Sequence, residues 1–242
     1  MTYAYVMRTV DRTARPKPAR NYLGDTLQSL DQGGFFAAAK LHLVDSSPSP
    51  WLRDSFNGHA NVGGALYECH FADRVYTNNE NALRALMIGL GTGADWIVHL
   101  EDDIAVCRDL PGSIDRWLTE YASEHYVLYT FHTPYRQVQD RHAQGLATWP
   151  YPVQAFYGNQ CWAIRRADAE DLATYLTTRI PTWTTGQGFD LIIKEWANHA
   201  GESFFLASCP SFVQHIGRES ALHLGRFHEN GSFPGTDWSY QP

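Results

Sequence analysis

Two hydrophobic periods alternate along the chain, and the switches between them mark out its elements. Short apolar runs at 4–10 (AYVMRTV), 40–47 (KLHLVDSS), 74–78 (RVYTN) and 96–104 (WIVHLEDDI) predict strands. Between them NYLGDTLQSL (21–30) sets Tyr22, Leu23, Thr26, Leu27 and Leu30 on one helical face. Asn21 is its expected N-cap and Gly33 its stop. NNENALRALMIGLGTG (78–93) predicts a second helix with an asparagine cap, apolar Leu83, Leu86, Met87 and Leu90, and a glycine stop. Helix signals return at 112–123, 167–177 and 188–199, and strand signals at 126–131, 154–164 and 203–207. RTARPKPAR (12–20), broken by two prolines, reads as a loop, and 48–66, rich in Pro, Gly, Ser and Asn, as an irregular excursion. The order strand–helix–strand–strand–helix–strand predicts an α/β fold of nucleotide-binding type: a Rossmann-like, mostly parallel central sheet flanked by helices in a single domain. Residues 223–242 carry Gly, Pro and aromatics without periodicity, as a tail lying over the fold or a disordered end would.

Composition narrows the function classes. Of 242 residues, 44 % are hydrophobic, enough for a sizeable core, and 14 % are aromatic. The net charge of −7 disfavours a protein that coats nucleic acid by bulk charge, while leaving room for a local basic patch. Cys69, Cys107, Cys161 and Cys209 form no C-x-x-C pair, so a structural zinc site built on cysteines is not expected, and scattered thiols suit a reducing compartment. The first residues, MTYAYVMRTVDR, turn basic too soon for a secretory segment, and no apolar run approaches the roughly 18–20 residues of a membrane span. A soluble, cytoplasmic protein without a membrane anchor is the expectation, in the host cytoplasm if it is viral.

Candidate chemistry centres on Glu101, Asp102 and Asp103, which follow directly on the apolar WIVHL run. Adjacent like charges repel, and each costs free energy if it is desolvated unpaired. A divalent cation, Mg²⁺ or Mn²⁺, would reverse that, and the C-terminal edge of an α/β sheet is where such folds bind ligands. A solvated acidic turn is the alternative. CPSFVQHIGRESALHLG (209–225) forms a compact loop whose His215 is either a ligand of the same metal as Asp103 or a satisfied core histidine. GQGFDLIIKEW (186–196) opens a helix on Asp190, where the dipole favours the carboxylate: a general base, or a plain cap. The stretch 8–20 gathers Arg8, Arg12, Arg15, Lys17 and Arg20 against Asp11, a basic segment able to meet a diphosphate or a phosphate backbone. Asn81 and Arg84 are weaker candidates for holding a nucleotide or the acidic cluster. Trp162 and Tyr157 are candidate rings for stacking on a sugar, or core.

These residues fall into a known order. RTVDR (8–12), NYLGDTLQSL (21–30), HLEDDI (99–104) and PSFVQHIGRESAL (210–222) resemble GT-A glycosyltransferases, and most of all the N-acetylglucosaminyltransferase IV family. There a first strand ending in T-V precedes a Y-L-x-x-T-L-x-S-L helix, an E-D-D at a strand end and a P-S-L-x-Q-H-x-G-x-x-S-S-L segment. The resemblance implies a nucleotide-sugar-binding half at 1–104, an acceptor-binding half at 105–222 and a tail beyond. It implies Asp103 and His215 as ligands of Mn²⁺ or Mg²⁺, and Glu101 and Asp102 as contacts to ribose, donor sugar or metal water. Thr9, Val10 and Arg12 match the strand end that holds the nucleotide base. Asp190 falls near the family's P-I-D-W-L segment, with Gly188 and Phe189 in place of proline and isoleucine. The implied activity is inverting, metal-dependent transfer from a nucleotide sugar, a UDP-sugar foremost. The acceptor is a saccharide or other small molecule, or a hydroxymethylated pyrimidine in DNA. Two other classes remain beside it: a nucleotidyltransferase, which usually carries a glycine-rich loop after the first strand where RTVDRTARPKP has no glycine, and a silent sugar-binding module.

Overall fold

The computed structural model describes residues 1–12, 20–46, 67–157, 159–183, 188–217 and 231–242. The expected excursion at 48–66, Arg15 and Lys17 of the basic loop, and 218–230 lie outside the described residues.

Strands β1 (Tyr3–Thr9), β2 (Leu41–Asp45), β3 (Tyr67–His70) and β4 (Trp96–Glu101) run parallel in the order β3-β2-β1-β4. The sheet continues through β8 (Cys161–Arg165), β6 (Tyr129–Thr130), β9 (Phe204–Ser208) and β7 (Thr148–Pro152). Here β8 is antiparallel to both β4 and β6, β6 and β9 are parallel, and β7 is antiparallel to β9. The sheet is therefore mostly parallel, as expected: β6 and β9 run in the direction of β1–β4, and β8 and β7 run against it. Two three-residue strands, β5 (Ile104–Val106) and β10 (Val213–His215), pair outside it.

Period-two alternation divides the strand residues between two cores. Tyr5, Met7, Trp96, Val98 and Leu100 face one side, covered by α1 (Leu23–Gln32), α2 (Phe35–Ala38) and α4 (Leu110–Tyr121). Val6, Val44, Ile97, Trp162 and Ile164 face the other, covered by α3 (Asn78–Gly91), α6 (Arg166–Arg179) and α7 (Phe189–His199). Covering both faces is what lets β4 be apolar without interruption over Trp96–Val98. The tail lies over the first core, with Trp238 and Tyr240 against Phe212 at 5.6 and 5.9 Å between ring centroids.

Several expectations shift. The third strand is Tyr67–His70, not 74–78, because Thr77 caps α3 in a reciprocal capping box with Glu80; Asn78 is already helical. Asn21 caps nothing: its amide oxygen accepts from Arg12 N at 2.7 Å, and Tyr22 occupies the N-cap of α1. The strand expected at 154–164 narrows to β8, and that at 126–131 to Tyr129–Thr130. Unanticipated elements have physical reasons for their silence. Helix α5 (Arg136–Ala143) buries only Val138, so it has no apolar face to read. Strand β7 contains Pro150 and Pro152, which are tolerated because it is a sheet edge.

Helix α3 approaches the sheet closely at Gly89, where an added Cβ would lie 2.8 Å from Ile97 Cγ2. Gly89→Val is expected to destabilise the fold by about 2–3 kcal/mol through overpacking against Ile97 and Val6, read as a lower urea midpoint at unchanged slope.

Candidate active site

The three acids sit where β4 ends, and they point three ways. Glu101 is the last residue of β4 and stands opposite Arg8 in the β1–β4 register. Its carboxylate pairs with the Arg8 guanidinium and lies 3.2 Å from His99 Nε2. Arg8 also donates to the Asn78 carbonyl and side chain at 3.0 and 3.1 Å, and its guanidinium lies 5.1 Å from the Phe189 ring. Burial opposes ionisation of Glu101, but Arg8 and His99 outweigh it and hold the carboxyl down to about 2. His99 stacks on Trp162 at 4.8 Å, and burial, reinforced by Arg8, lowers its imidazole to about 4.

Asp102 turns inward and is 2 % exposed. Its carboxylate accepts from Thr9 Oγ1 at 2.8 Å and Val10 N at 3.3 Å, and pairs with Arg12 at 2.7 Å. Burial and the neighbouring Asp103 raise its carboxyl against the pull of Arg12. Its carbonyl accepts from Thr26 Oγ1 at 2.9 Å, and the same hydroxyl accepts from Ile104 N at 3.0 Å. One turn on, Ser29 Oγ accepts from Val106 N at 2.9 Å. The polar positions of α1 thus hold the backbone of the acidic turn and of β5.

Asp103 turns toward the C-terminal segment. Its Oδ2 lies 3.2 Å from His215 Nε2 and 3.0 Å from Arg12. The β5–β10 pairing brings the two together, with His215 opposite Ile104 and Ile216 N donating to the Asp103 carbonyl at 2.8 Å. Gly217 completes the corner, since a Cβ there would meet Asp103 Oδ2 at 2.5 Å and His215 Nε2 at 2.8 Å. A side chain would fill the space beside both donor atoms. Three carboxylates facing two arginines leave one negative charge in excess, and a carboxylate with an imidazole is a donor set that manganese accepts.

Asp190 is the second residue of α7, half-buried, with its Oδ1 turned back over Gly188. The helix dipole there favours its ionised form. Its neighbour Phe189 lies 5.1 Å from the Arg8 guanidinium and 6.5 Å from the Trp162 ring, centroid to centroid. Glu195, farther along the helix, pairs with Arg179 at 2.7 Å.

The sequence-predicted residues therefore divide. Thr9, Val10, Arg12, Glu101, Asp102, Asp103 and His215 come together in one network, and Asp190 follows in the chain on Phe189, whose ring meets Arg8. Arg84 instead donates to the carbonyls of Asp45 and Phe71 at 2.5 and 3.2 Å, securing the ends of β2 and β3. It lines a separate cleft of about 670 Å³ with His70, Arg74, Tyr76 and Met87. Arg8 and Arg12 are buried rather than presented on a basic loop, whereas Arg20 is exposed and pairs with Asp25. Trp162 is core, 2 % exposed, and Tyr157 is open to solvent. Thr26 and His99 escape sequence reasoning; the available signal is a polar residue on an apolar helical face and a histidine inside an apolar strand.

No protein-family model and no curated protein matches this sequence. Solved structures match by fold. GalNAc-T7 with UDP, GalNAc and Mn²⁺ superposes at a TM-score of 0.59 with 14 % identity, over 94 % of this chain and 46 % of that one. Staphylococcus aureus TarS 1–349 in complex with UDP-GlcNAc gives 0.54 with 10 % identity, over 87 % and 58 %. The nucleoside-diphosphate-sugar pyrophosphorylase from Vibrio cholerae RC9 gives 0.52 with 10 % identity, over 88 % and 95 %. This chain has the GT-A fold, and spans 46 % and 58 % of the length of the GalNAc-T7 and TarS structures.

His99 carries a pH signature. Its lowered pKa means that the unfolded chain binds the extra proton between about pH 6.5 and 4, so stability falls as pH falls through that window. His99→Phe, which keeps a ring on Trp162, is expected to remove that part of the slope in urea unfolding measured across the window, a change on the order of 3 kcal/mol.

Proposed function

We propose that the acidic turn, His215 and the start of α7 form the active site of a metal-dependent, inverting glycosyltransferase. It takes its sugar from a nucleotide-sugar donor, a UDP-sugar foremost, and delivers it to a saccharide hydroxyl. The observation that carries this reading is the meeting of Asp103 with His215, 112 residues apart in sequence and 3.2 Å apart in space, beside a glycine whose missing Cβ leaves room next to both atoms. GalNAc-T7, the same fold, was solved with UDP and Mn²⁺, which supports the metal and the nucleotide. The motifs behind the N-acetylglucosaminyltransferase IV resemblance also converge: Thr26 and Ser29 of the helix motif hold the acidic turn, and the Q-H-x-G segment seats against Asp103. That convergence supports membership in that family.

Asp103 and His215 would hold Mn²⁺, or Mg²⁺ less favourably because one ligand is an imidazole. Such a cation, when bound, offsets the charge that develops on the departing nucleoside diphosphate. The protein's own groups do the rest. Asp190, in the first turn of α7, takes the proton of the acceptor hydroxyl, and the freed oxygen attacks the anomeric carbon with inversion as the nucleoside diphosphate leaves. Asp102 acts as a positioning residue that holds Thr9, Val10 and Arg12 in the wall receiving the nucleotide. Glu101, locked by Arg8, keeps a fixed negative oxygen at the donor side, and Arg84 contributes by securing the end of β2.

A DNA acceptor gains nothing from this arrangement, because Arg8 and Arg12 are turned inward onto carboxylates and are not free to meet a phosphate backbone. Nucleotidyl transfer is the second reading, favoured by the 95 % coverage of the pyrophosphorylase and opposed by a glycine-free first loop. The products separate the two: transfer releases a nucleoside diphosphate from a nucleotide sugar, whereas nucleotidyl transfer releases pyrophosphate from a nucleoside triphosphate. Binding of a nucleotide sugar with neither product would leave a silent sugar-binding module.

With added Mn²⁺, a panel of nucleotide sugars and glycan acceptors is expected to yield nucleoside diphosphate. Asp103→Asn should lower that turnover by at least about 100-fold, and Gly217→Ala should weaken Mn²⁺ binding by roughly 10-fold. Metal-stimulated turnover surviving in Asp103→Asn would remove the metal assignment. Asp190→Asn is expected to cut kcat by about 10²–10⁴ with the donor Kd unchanged, and an unaltered kcat would move the base to another carboxylate.

A further inference from the structure

A second cluster of ligand-type side chains lies away from this site, on the outer edge of the parallel half-sheet. Strands β2 and β3 pair with His42 opposite Glu68 and Val44 opposite His70. Alternation puts His42, Glu68 and His70 on one face, the face of α3, while Leu41, Leu43 and Cys69 face the other core. His42 is three residues short of the end of β2 at Asp45, about 10 Å down the strand from the level of the acidic turn.

We propose that His42, Glu68 and His70 form a separate binding site for a borderline transition-metal dication, zinc foremost, with the remaining coordination positions open to water. His42 Nδ1 and His70 Nε2 are 3.2 Å apart, and Glu68 carboxylate oxygens lie 3.9 and 3.7 Å from these two atoms. Donor atoms about 2.0–2.2 Å from a tetrahedral zinc stand about 3.3–3.6 Å from one another; the two nitrogens are close to that spacing, and one donor atom from each of the three residues lies within 4.8 Å of the others, so a small turn of the half-exposed Glu68 side chain closes the set. Two imidazoles and a carboxylate form a recurrent zinc ligand set, and the two nitrogens disfavour Mg²⁺ or Ca²⁺.

The surroundings fit this use. The side chains of His42 and His70 are 13 % and 23 % exposed, while Glu68 at 48 % leaves an entry path from solvent. Burial lowers both imidazoles. The contact between the two ring nitrogens needs one proton between them. A metal takes its place once that proton moves to the other nitrogen of its own ring, with no net change in charge. Lys40 pairs with Glu68 at 2.7 Å, but both side chains are about half exposed, so that pair is weak competition. Cys69 stays out: it points to the opposite face, and burial pushes its thiol up to about 11. The consequence is mechanical. Strand β3 has only β2 as a sheet neighbour among the described residues, and a metal bridging His42 to Glu68 and His70 clips that edge in register.

Chelator-treated full-length protein, titrated with zinc by calorimetry and with cobalt by visible absorption, tests this. Wild type is expected to bind one more equivalent than His42→Gln or His70→Gln, to show a tetrahedral cobalt band that both variants lose, and to gain thermal stability with zinc that both variants lack. Asp103→Asn should retain the tetrahedral cobalt band and the zinc-dependent gain in thermal stability, which separates this site from the proposed active site. Equal stoichiometry in wild type and His70→Gln, or loss of the cobalt band in Asp103→Asn alone, would overturn the proposal. Should a glutamine variant fail to fold, diethyl pyrocarbonate labelling of the wild type decides. Zinc protection of His42 and His70 supports the site, and labelling unaffected by zinc refutes it.

Discussion

Three consecutive carboxylates at the end of a buried strand are the constraint around which the molecule is arranged. Left together and unpaired they would repel one another and resist desolvation. The fold separates them by direction: Glu101 stays with the sheet face and meets Arg8, Asp102 turns into the core and meets Arg12, and Asp103 turns out toward His215. Each direction recruits a different part of the chain. Arg8 brings the start of α7 through Phe189, the Asp102 backbone brings α1 through Thr26, and Asp103 brings the C-terminal segment through β10.

The two halves of the sheet meet next to this turn. Strand β4 pairs in parallel with β1 on one side and antiparallel with β8 on the other. Buried polar atoms at the turn are satisfied by side chains: Thr26 and Ser29 bond backbone amides that no neighbouring strand pairs with. The same economy explains why an amphipathic helix such as α1 carries hydroxyls on the face that meets the turn.

Much of the frame was legible in the residues. The strands flanking the site, and helices α1, α3, α6 and α7, follow from apolar period, because each buries a continuous face, whereas neither expected asparagine cap forms. The acidic turn and the Q-H-x-G segment stood out because charge after an apolar run and a histidine beside a glycine are rare combinations. Elements without an apolar face, such as α5, or with prolines, such as β7, gave no such signal. The third strand was misplaced because RVYTN looks β-like until the Thr77–Glu80 capping box is recognised as a helix start. Partner assignment was the least legible. Arg8 and Arg12 read as members of a basic segment able to meet a phosphate, yet both are buried against carboxylates more than 90 residues away.

By itself, the sequence determined the α/β plan, the location of the acidic cluster at a strand end and the segment that would close over it, since periodicity and local charge are properties of neighbours in the chain. The tertiary structure decided which carboxylate faces which cation, the reversal of β8 and β7 within the sheet, the clearance over Gly217, and the gathering of His42, Glu68 and His70. Those depend on strand register and on distances between residues far apart in sequence, and a one-residue change of register would send each of these side chains to the opposite face.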